Sequence, residues 1–240
     1  MHASLINTVS QTYSRELLTE EYAPKLYKLF RELRGKFYGV LNGLDYQNFD
    51  PKKDKIIKSN YSANDLTSRQ ENKVDLQKDF DLEISQHTPL LAIMGRLDNQ
   101  KGLDLVMETI EFILTECHVQ LVVCGPGDNK YRDFFSDLEK QHSGMVGTHL
   151  MFDATLPRKI FAGADMILIP SKYEPGGIVA LEAMRYGAVP IVRRTGGLND
   201  IVQEFDPEKA SGTGFSFVQK SAWSLFAAVI SALTIYYHPR

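Results

Sequence analysis

From Thr88 to its end, the chain alternates short apolar runs with amphipathic segments. The run PLLAIMG has the length and composition of a buried strand, and the segment after it repeats apolar residues at spacings of three and four, which predicts a helix. The same reading predicts strands at 89–95, 119–125, 148–152, 165–170, 189–193 and 214–218, and helices at 101–116, 130–141, 156–164, 178–187, 198–204 and 220–237.

Alternation of continuous apolar strands with helices predicts an α/β fold, a Rossmann-like doubly wound parallel sheet with helices on both faces. Such sheets bind their ligands at the carboxyl ends of the strands. We therefore expect the functional side chains to lie directly after the strands, where they would share one edge of the sheet.

The first 87 residues have a different pattern. They suggest a strand at 1–10, a helix at 11–33 and a strand at 37–43, followed by a stretch rich in Lys, Asp, Asn and Ser with one helix at 68–79. We expect three parts: 1–45 as the remnant of an interdomain or N-terminal-domain segment with a hinge, 46–87 as a connecting segment, and 88–240 as a Rossmann-like, donor-binding domain.

The two ends of the chain suggest a piece of a longer protein. An apolar strand begins at once, without a helix to cover it, and the chain stops soon after its last helix. We expect apolar residues of that helix, among them Trp223, Leu225 and Val229, to be left exposed.

Composition narrows the class of protein. The chain is 43% hydrophobic and 24% charged, which is ordinary for a globular protein, and its net charge of −3 gives no reason to expect nucleic acid or an anionic membrane as a partner. Its apolar runs are far shorter than a membrane span. The two cysteines, Cys117 and Cys124, form neither a disulfide framework nor a metal motif. A cytoplasmic protein is expected.

Two cations follow the first strand of the sheet, in the segment GRLDNQKG. Arg96 and Lys101 are five positions apart across a turn, so both can reach one point above the sheet edge. Two cations around a departing diphosphate would stabilise its charge. An ordinary solvated loop would also accommodate one Arg and one Lys.

Two glutamates flank a glycine pair in the segment PSKYEPGGIVALE. Glu174 precedes a helix and Glu182 lies within it, while Gly176 and Gly177 allow a ligand to approach the backbone. The amides that open this helix, up to Ile178, favour an anion. The alternative is an acidic helix start followed by an exposed glutamate.

Three further segments also follow strands. RRTGGLND offers the closely spaced amides of Thr195, Gly196 and Gly197, although a plain glycine turn explains it equally well. CGPGD lacks the spacing of a dinucleotide fingerprint and is read as a tight turn near a base or ribose. VLNGLD, which contains Asn42, is by itself a turn signal.

Taken together, these segments resemble the glycogen and starch synthases. The motifs of that family occur in order as NTVSQTYSREL, GVLNGLD, ENKVDLQ, GRLDNQKGLDL, GPGD, IPSKYEPGGIVALEAMRYGAVPIVRRTGGLND and GTGFSF. The resemblance implies the C-terminal, nucleotide-sugar-binding half of a retaining transferase with the GT-B fold, in which two Rossmann-like domains face each other across a cleft.

The resemblance also implies roles for individual residues. Arg96 and Lys101 match the basic pair that holds the donor diphosphate, and Glu174 matches the glutamate that contacts the donor glucose. Asn42 matches an asparagine that reaches the sugar. Phe152 falls where an aromatic ring stacks on the nucleobase.

The remaining matches are the second glutamate and the glycine-rich turns. Glu182 completes the spaced-glutamate motif, and the amides of Gly177, Gly196 and Gly197 line the donor site. The chain departs from many bacterial and plant members at Gly176, where they have Cys. It also lacks the N-terminal domain that carries the family's Lys-Thr-Gly-Gly-Leu loop, a catalytic-site His and much of the glucan surface.

The implied reaction transfers glucose from ADP-glucose or UDP-glucose to the non-reducing end of an α-1,4-glucan, with retention by a front-face route. The nucleotide sugar is a substrate, and neither a cofactor nor a metal is expected, because the two cations neutralise the leaving group. Two alternatives remain: a catalytically inactive nucleotide-sugar-binding fragment, and a related retaining transferase with another acceptor.

Overall fold

A computed structural model describes residues 3–238. The strands are β1 (Ile6–Thr8), β2 (Phe37–Gly39), β3 (Leu90–Met94), β4 (Gln120–Cys124), β5 (Val146–His149), β6 (Met166–Ile169), β7 (Val189–Arg193) and β8 (Phe215–Phe217). The helices are α1 (Gln11–Glu16), α2 (Tyr27–Glu32), α3 (Arg69–Asp79), α4 (Leu103–Met107), α5 (Ile110–Cys117), α6 (Asn129–Gln141), α7 (Leu156–Gly163), α8 (Ile178–Arg185), α9 (Gly196–Ile201) and α10 (Ala222–Tyr237).

Six strands form one parallel sheet in the order β5-β4-β3-β6-β7-β8. The predicted α/β doubly wound fold is confirmed. The strand order changes direction between β3 and β6, so the helices that follow these two strands, α4 and α8, pack on opposite faces of the sheet and leave a crevice at the strand ends. In sheets of this kind the crevice is where ligands bind.

The sheet separates two cores because successive side chains of a strand point to opposite faces. On β3, Leu91 and Ile93 pack into the core beneath α4, α5, α6 and α10. Leu90 and Ala92 pack into the other core, against α3, α7, α8 and α9. All four side chains are almost fully buried, which explains why the strand has a continuous apolar sequence.

Two of the predicted helices are interrupted. The helix expected at 11–33 is two helices, α1 and α2, separated by turns that include Pro24, a residue without an amide donor. The helix expected at 101–116 breaks between α4 and α5 at Thr109, whose hydroxyl donates to the carbonyl of Leu105 at 3.1 Å. A side chain that bonds the backbone in this way competes with continuation of the helix.

The strand expected at 148–152 lies at Val146–His149. It pairs with β4, and the pairing stops where β4 stops, at the partners Cys124 and His149. Phe152 therefore lies three residues beyond the strand, not at its end.

The segment at 46–87 contributes side chains to the second core, among them Ile57, Tyr61 and Leu76. A buried lysine in α3, Lys73, is held by the carboxylate of Asp165 at 2.7 Å and by two backbone carbonyls. This pairing fixes α3 at the amino end of β6.

The exposure expected for the last helix is only partly correct. Trp223 is 78% exposed, whereas Leu225 and Val229 are buried against the sheet. These two residues lie on the inner face of α10, which packs on the same core as α4, α5 and α6. The apolar pattern of the helix did not indicate that this face would be covered.

Candidate active site

The loops after β3 and β6 touch each other at the crevice. Gly102 has a left-handed backbone with φ of +67°, and a Cβ atom at this position would lie 2.0 Å from the carbonyl oxygen of Pro170. Only glycine permits this approach. Lys101 lies in a 3-10 turn just before Gly102, not in the following helix as expected, and α4 begins at Leu103.

An ion pair joins the two loops. The Nζ atom of Lys101 lies 2.7 Å from Oε2 of Glu174, and the hydroxyl of Ser171 donates to the same oxygen at 3.3 Å. The side chains of Lys101 and Glu174 are 20% and 16% exposed, so solvent screens the pair weakly. The structure thus brings together two of the predicted site residues from opposite sides of the crevice.

Arg96 behaves differently from Lys101. Its side chain is 71% exposed, and it has one weak ionic contact, 3.5 Å to Asp98 of its own loop. The two predicted cations therefore lie at the same sheet edge but differ in exposure and in how firmly they are paired. Lys101 is engaged by Glu174, while Arg96 is available to a ligand and strongly screened by solvent.

The start of α8 is open. Gly177 has φ of +63°, and no side chain caps the helix. Within residues 3–238, the amides of Gly177, Ile178 and Val179 donate to no acceptor. Amides free at the start of a helix, together with the helix dipole, attract an anion.

Asn42 reaches the open helix start from the N-terminal segment. A Cβ atom on Gly176 would lie 2.7 Å from Nδ2 of Asn42, so the two residues are in contact. A cysteine at position 176 would require Asn42 to move. Asn42 and the glycine pair, two sequence-predicted parts of the site, are thus in contact in the fold.

The start of α9 is closed by a residue that sequence reasoning missed. The carboxylate of Glu16 accepts from the Thr195 hydroxyl at 2.9 Å and from the Gly196 amide at 3.1 and 3.2 Å. The Gly197 amide donates to the carbonyl of Glu174 at 2.8 Å. The amides of Gly196 and Gly197, expected to face a ligand, already have acceptors within the protein.

No local pattern signals this role of Glu16, because its partners lie about 180 positions away along the chain. Burial raises the pKa of the Glu16 carboxyl, and the hydrogen bonds from Gly196 and Thr195 oppose the shift. The neighbouring contact is similar in kind, since Asp200 accepts from the amide and the hydroxyl of Thr12 at 2.9 and 2.5 Å. Together these bonds dock α1 on α9.

The loop after β4 extends the pairing of β3 and β4 beyond the strands. The amide of Leu97 donates to Pro126, and the amide of Asp128 donates back to Leu97. A Cβ atom at Gly127 would lie 2.2 Å from the carbonyl of Leu97. CGPGD is therefore a close backbone junction, as its glycines suggested.

Two other predicted site residues, Phe152 and Glu182, take no part in the ion pair. Phe152 is 79% exposed at the far side of the sheet edge, with its ring open to a ligand. Glu182 is partly buried in α8, and burial raises its pKa, an effect opposed by the charge of Arg158.

Within residues 3–238, no group of three or more His, Cys, Asp or Glu side chains is placed to hold a metal ion. None of the helices in this range combines the length and hydropathy needed to cross a membrane.

The sequence profile of the family "Glycosyl transferases group 1" matches residues 75–238. The chain belongs to this family. Over 238 residues it is 42% identical to a glycogen synthase of Thermotoga maritima, covering 99% of this chain and 49% of that protein. A glycogen synthase of Desulforudis audaxviator is 40% identical over 235 residues, 98% of this chain and 47% of its own length. The chain thus spans about half the length of these relatives and corresponds to their C-terminal half.

Solved structures agree with this assignment. The catalytic domain of starch synthase IV from Arabidopsis thaliana, bound to ADP and acarbose, superposes with a TM-score of 0.91 at 33% identity, over 99% of this chain and 50% of that one. A sucrose-phosphate synthase from Thermosynechococcus elongatus shares the fold, with a TM-score of 0.65 at 20% identity, over 98% of this chain and 50% of that one.

Proposed function

We propose that this chain is the donor-binding half of a glycogen or starch synthase. In that role it transfers glucose from ADP-glucose or UDP-glucose to the non-reducing end of an α-1,4-glucan, with retention of configuration. The observation that carries the proposal is the Lys101–Glu174 pair at the crevice, beside the open start of α8. Similarity to glycogen synthases over nearly the whole chain supports it.

The donor can be placed on the residues around this pair. The diphosphate would take the open amides of α8, Lys101 and Arg96, which supply charge and hydrogen bonds together. Glu174 would face the glucose, with Asn42 beside it at Gly176. The base would extend toward the ends of β4 and β5, where Phe152 offers an exposed ring. Glu182, within α8, would be the second glutamate of the site.

Donor binding changes the partners of Lys101. In the structure its ammonium group is neutralised by Glu174. A diphosphate at the helix start would attract Lys101 and leave the Glu174 carboxylate for hydroxyl groups of the sugar. The acceptor hydroxyl would then form its bond to the anomeric carbon as the bond to the diphosphate breaks, and the leaving phosphate would take the hydroxyl proton.

In this mechanism Glu174 orients the sugar and forms no covalent bond to it. The acceptor glucan would bind mainly to the other half of the protein, the part for which this chain has no counterpart. The isolated chain should therefore bind the donor and transfer almost no glucose, because the acceptor is not positioned. We place the reaction in the cytoplasm, or in a plastid for a plant-type source.

Calorimetry on the purified chain tests the donor site. ADP should bind, and Arg96→Ala and Lys101→Ala should each weaken its binding about tenfold or more, since each removes a charge-assisted contact of about 1.5–3 kcal/mol. Unchanged affinity in both variants would contradict the assignment. Parallel titrations with ADP-glucose and UDP-glucose determine which base is preferred.

A transfer assay with radiolabelled donor and glycogen separates the alternatives. A two-domain form of the protein should transfer glucose, and Glu174→Gln should reduce its turnover strongly while ADP binding stays nearly unchanged. A two-domain form that binds ADP-glucose but is inactive on glycogen would favour the inactive binding module. Transfer to another sugar, with glycogen ignored, would favour a transferase with a different acceptor.

A further inference from the structure

Glu16, the last residue of α1, binds the start of α9 in a way that bears on the donor site. Its carboxylate accepts hydrogen bonds from two consecutive residues, from the hydroxyl of Thr195 and from the amide of Gly196. Without Glu16, both donors would lose their acceptor in a region where Thr195 is fully buried. An unsatisfied buried donor costs free energy, so the start of α9 would have to shift or admit water.

The start of α9 is in direct contact with the backbone of Glu174. A Cβ atom on Gly196 would lie 2.2 Å from the Glu174 carbonyl oxygen, and the Gly197 amide donates to that oxygen at 2.8 Å. A Cβ atom on Gly197 would lie 2.5 Å from the carbonyl carbon of Gly176. With no space between the two segments, a movement of α9 is transmitted to the loop from Glu174 to Gly177.

The other end of that loop is held by a different side chain. Arg193, at the end of β7, donates to the carbonyl of Ser171 at 2.8 Å and also to the carbonyl of Lys172. Arg193 thus secures the part of the loop next to β6, and α9 secures the part next to α8. Glu16 is the one group from the N-terminal segment that binds the amide at the start of α9 among the described residues.

We propose that Glu16 is a positioning residue, which holds the loop of Glu174 through Thr195 and Gly196. The consequence for transfer rests on the proposed function, in which Glu174 faces the donor glucose. Among the described residues, the hydrogen bonds that Glu16 accepts come from Thr195 and Gly196 and not from the loop of Glu174. Glu16 therefore acts by fixing where the α9 start lies. The diphosphate would keep Arg96 and Lys101 as ligands from the other side of the crevice, so loss of Glu16 should affect recognition of the glucose more than recognition of the nucleotide.

The test compares three variants with a control at the same interface. Glu16→Ala removes the acceptor, Glu16→Gln restores one acceptor oxygen, and Thr195→Val removes a donor without changing the size of the side chain. The control is Thr12→Val, which removes the hydroxyl bonds of Thr12 to Asp200 and Asn199 and leaves the α9 amide untouched. The control separates amide capping from general docking of α1.

The first readout is hydrogen exchange of the Gly197 amide, measured by NMR on the chain without ligand. Exchange should accelerate at least about tenfold in Glu16→Ala and in Thr195→Val, less in Glu16→Gln, and little in Thr12→Val. The second readout is calorimetry. The variants should bind ADP within about twofold of wild type and lose about fivefold or more of their affinity for ADP-glucose.

Several results would overturn the proposal. These are an unchanged Gly197 exchange rate in Glu16→Ala, an equal acceleration in Thr12→Val, or an equal loss of ADP and ADP-glucose affinity. If the wild-type chain binds neither ligand, the proposed function fails, and the exchange measurement alone decides whether Glu16 holds the loop. Recovery in Glu16→Gln identifies the acceptor oxygen as the group that acts.

Discussion

Two helices, α8 and α9, begin side by side at the same sheet edge, each after a strand and a glycine-rich turn, and their first amides are treated differently. Those of α9 have acceptors in the protein, from Glu16 and from the carbonyl of Glu174. The opening amides of α8 have none within residues 3–238. The sequence suggested the same use for both glycine pairs.

The difference shows how a ligand site can be recognised among similar helix starts. The α9 start is closed by a carboxylate from the same chain, so its role is to support the fold. The α8 start is the one left for an anion. The contact of Gly196 and Gly197 with Glu174 means that the closed helix supports the open one.

The largest effect is expected from a substitution that forces the start of α9 away from the Glu174 backbone. Gly196→Ala adds a methyl group where φ is +44° and the Glu174 carbonyl lies 2.2 Å away, so strain and overlap should lower the free energy of unfolding by about 3 kcal/mol. Denaturant unfolding followed by circular dichroism measures this loss. Gly35→Ala is the control, because no atom lies within 4 Å of its added carbon. A loss equal to that of the control would mean that the two segments do not touch as described.

The next largest effect is expected when the acceptor at the start of α9 is removed. Glu16→Ala leaves the Thr195 hydroxyl and the Gly196 amide without their acceptor and should lower the free energy of unfolding by about 1–2 kcal/mol. The same unfolding assay applies. Glu20→Ala, an exposed glutamate four residues further along, should change stability by less than about 0.5 kcal/mol. Similar losses in the two variants would contradict a specific role for Glu16.

A smaller effect is expected when a negative charge is placed at the open start of α8. Asn42→Asp places a negative charge beside Gly176, at the start of α8, where it should compete with an anionic ligand. A charge at a helix end is worth about 0.3–1 kcal/mol, so ADP affinity should fall by about two- to fivefold. Asn64→Asp makes the same charge change at an exposed site away from α8's start and should leave ADP affinity unchanged. Equal behaviour of the two variants would argue against ligand binding at this helix.

The smallest effect is expected from the ionisation of Glu182, a partly buried carboxyl group within α8. Burial raises the pKa of Glu182 above its unfolded value of about 4.3, so the folded protein binds this proton more tightly than the unfolded chain does. The stability this provides is present below the unfolded pKa and is lost as the pH rises through the folded pKa.

Glu182→Gln, which stays neutral, should therefore raise the free energy of unfolding slightly at neutral pH, with the gain shrinking toward about pH 4. Urea unfolding at several pH values measures it, with the exposed Glu108→Gln as control. A gain that does not depend on pH would rule out titration of Glu182 as its cause.

The strands and most helices of the sheet region could be predicted from sequence because their signals are local. Apolar runs such as Leu90–Met94 are buried on both faces, and the glycines that follow them mark the turns at the sheet edge. The same locality explains why Arg96, Lys101 and Glu174 could be assigned to one edge, since parallel strands place their carboxyl ends together.

Where a helix breaks, and which of its faces is covered, were harder to predict from the sequence. The break at Thr109 depends on a hydroxyl that bonds its own backbone, and the exposure of α10 depends on which side of the helix meets the sheet. Periodicity describes a helix face without indicating what covers it. For that reason Leu225 and Val229 were expected to be open and are buried.

By itself, the sequence determined the α/β architecture, the order of the motifs and the residue types available for diphosphate chemistry, because each depends on neighbours a few positions apart. Only the tertiary structure decided that Lys101 pairs with Glu174, which is 73 positions away, and that Glu16 closes α9 from about 180 positions away. Hydrogen bonds and ion pairs act over a few ångströms in space, whatever the separation along the chain. Two equivalent glycine turns therefore acquire different roles only when folding brings a carboxylate to one of them.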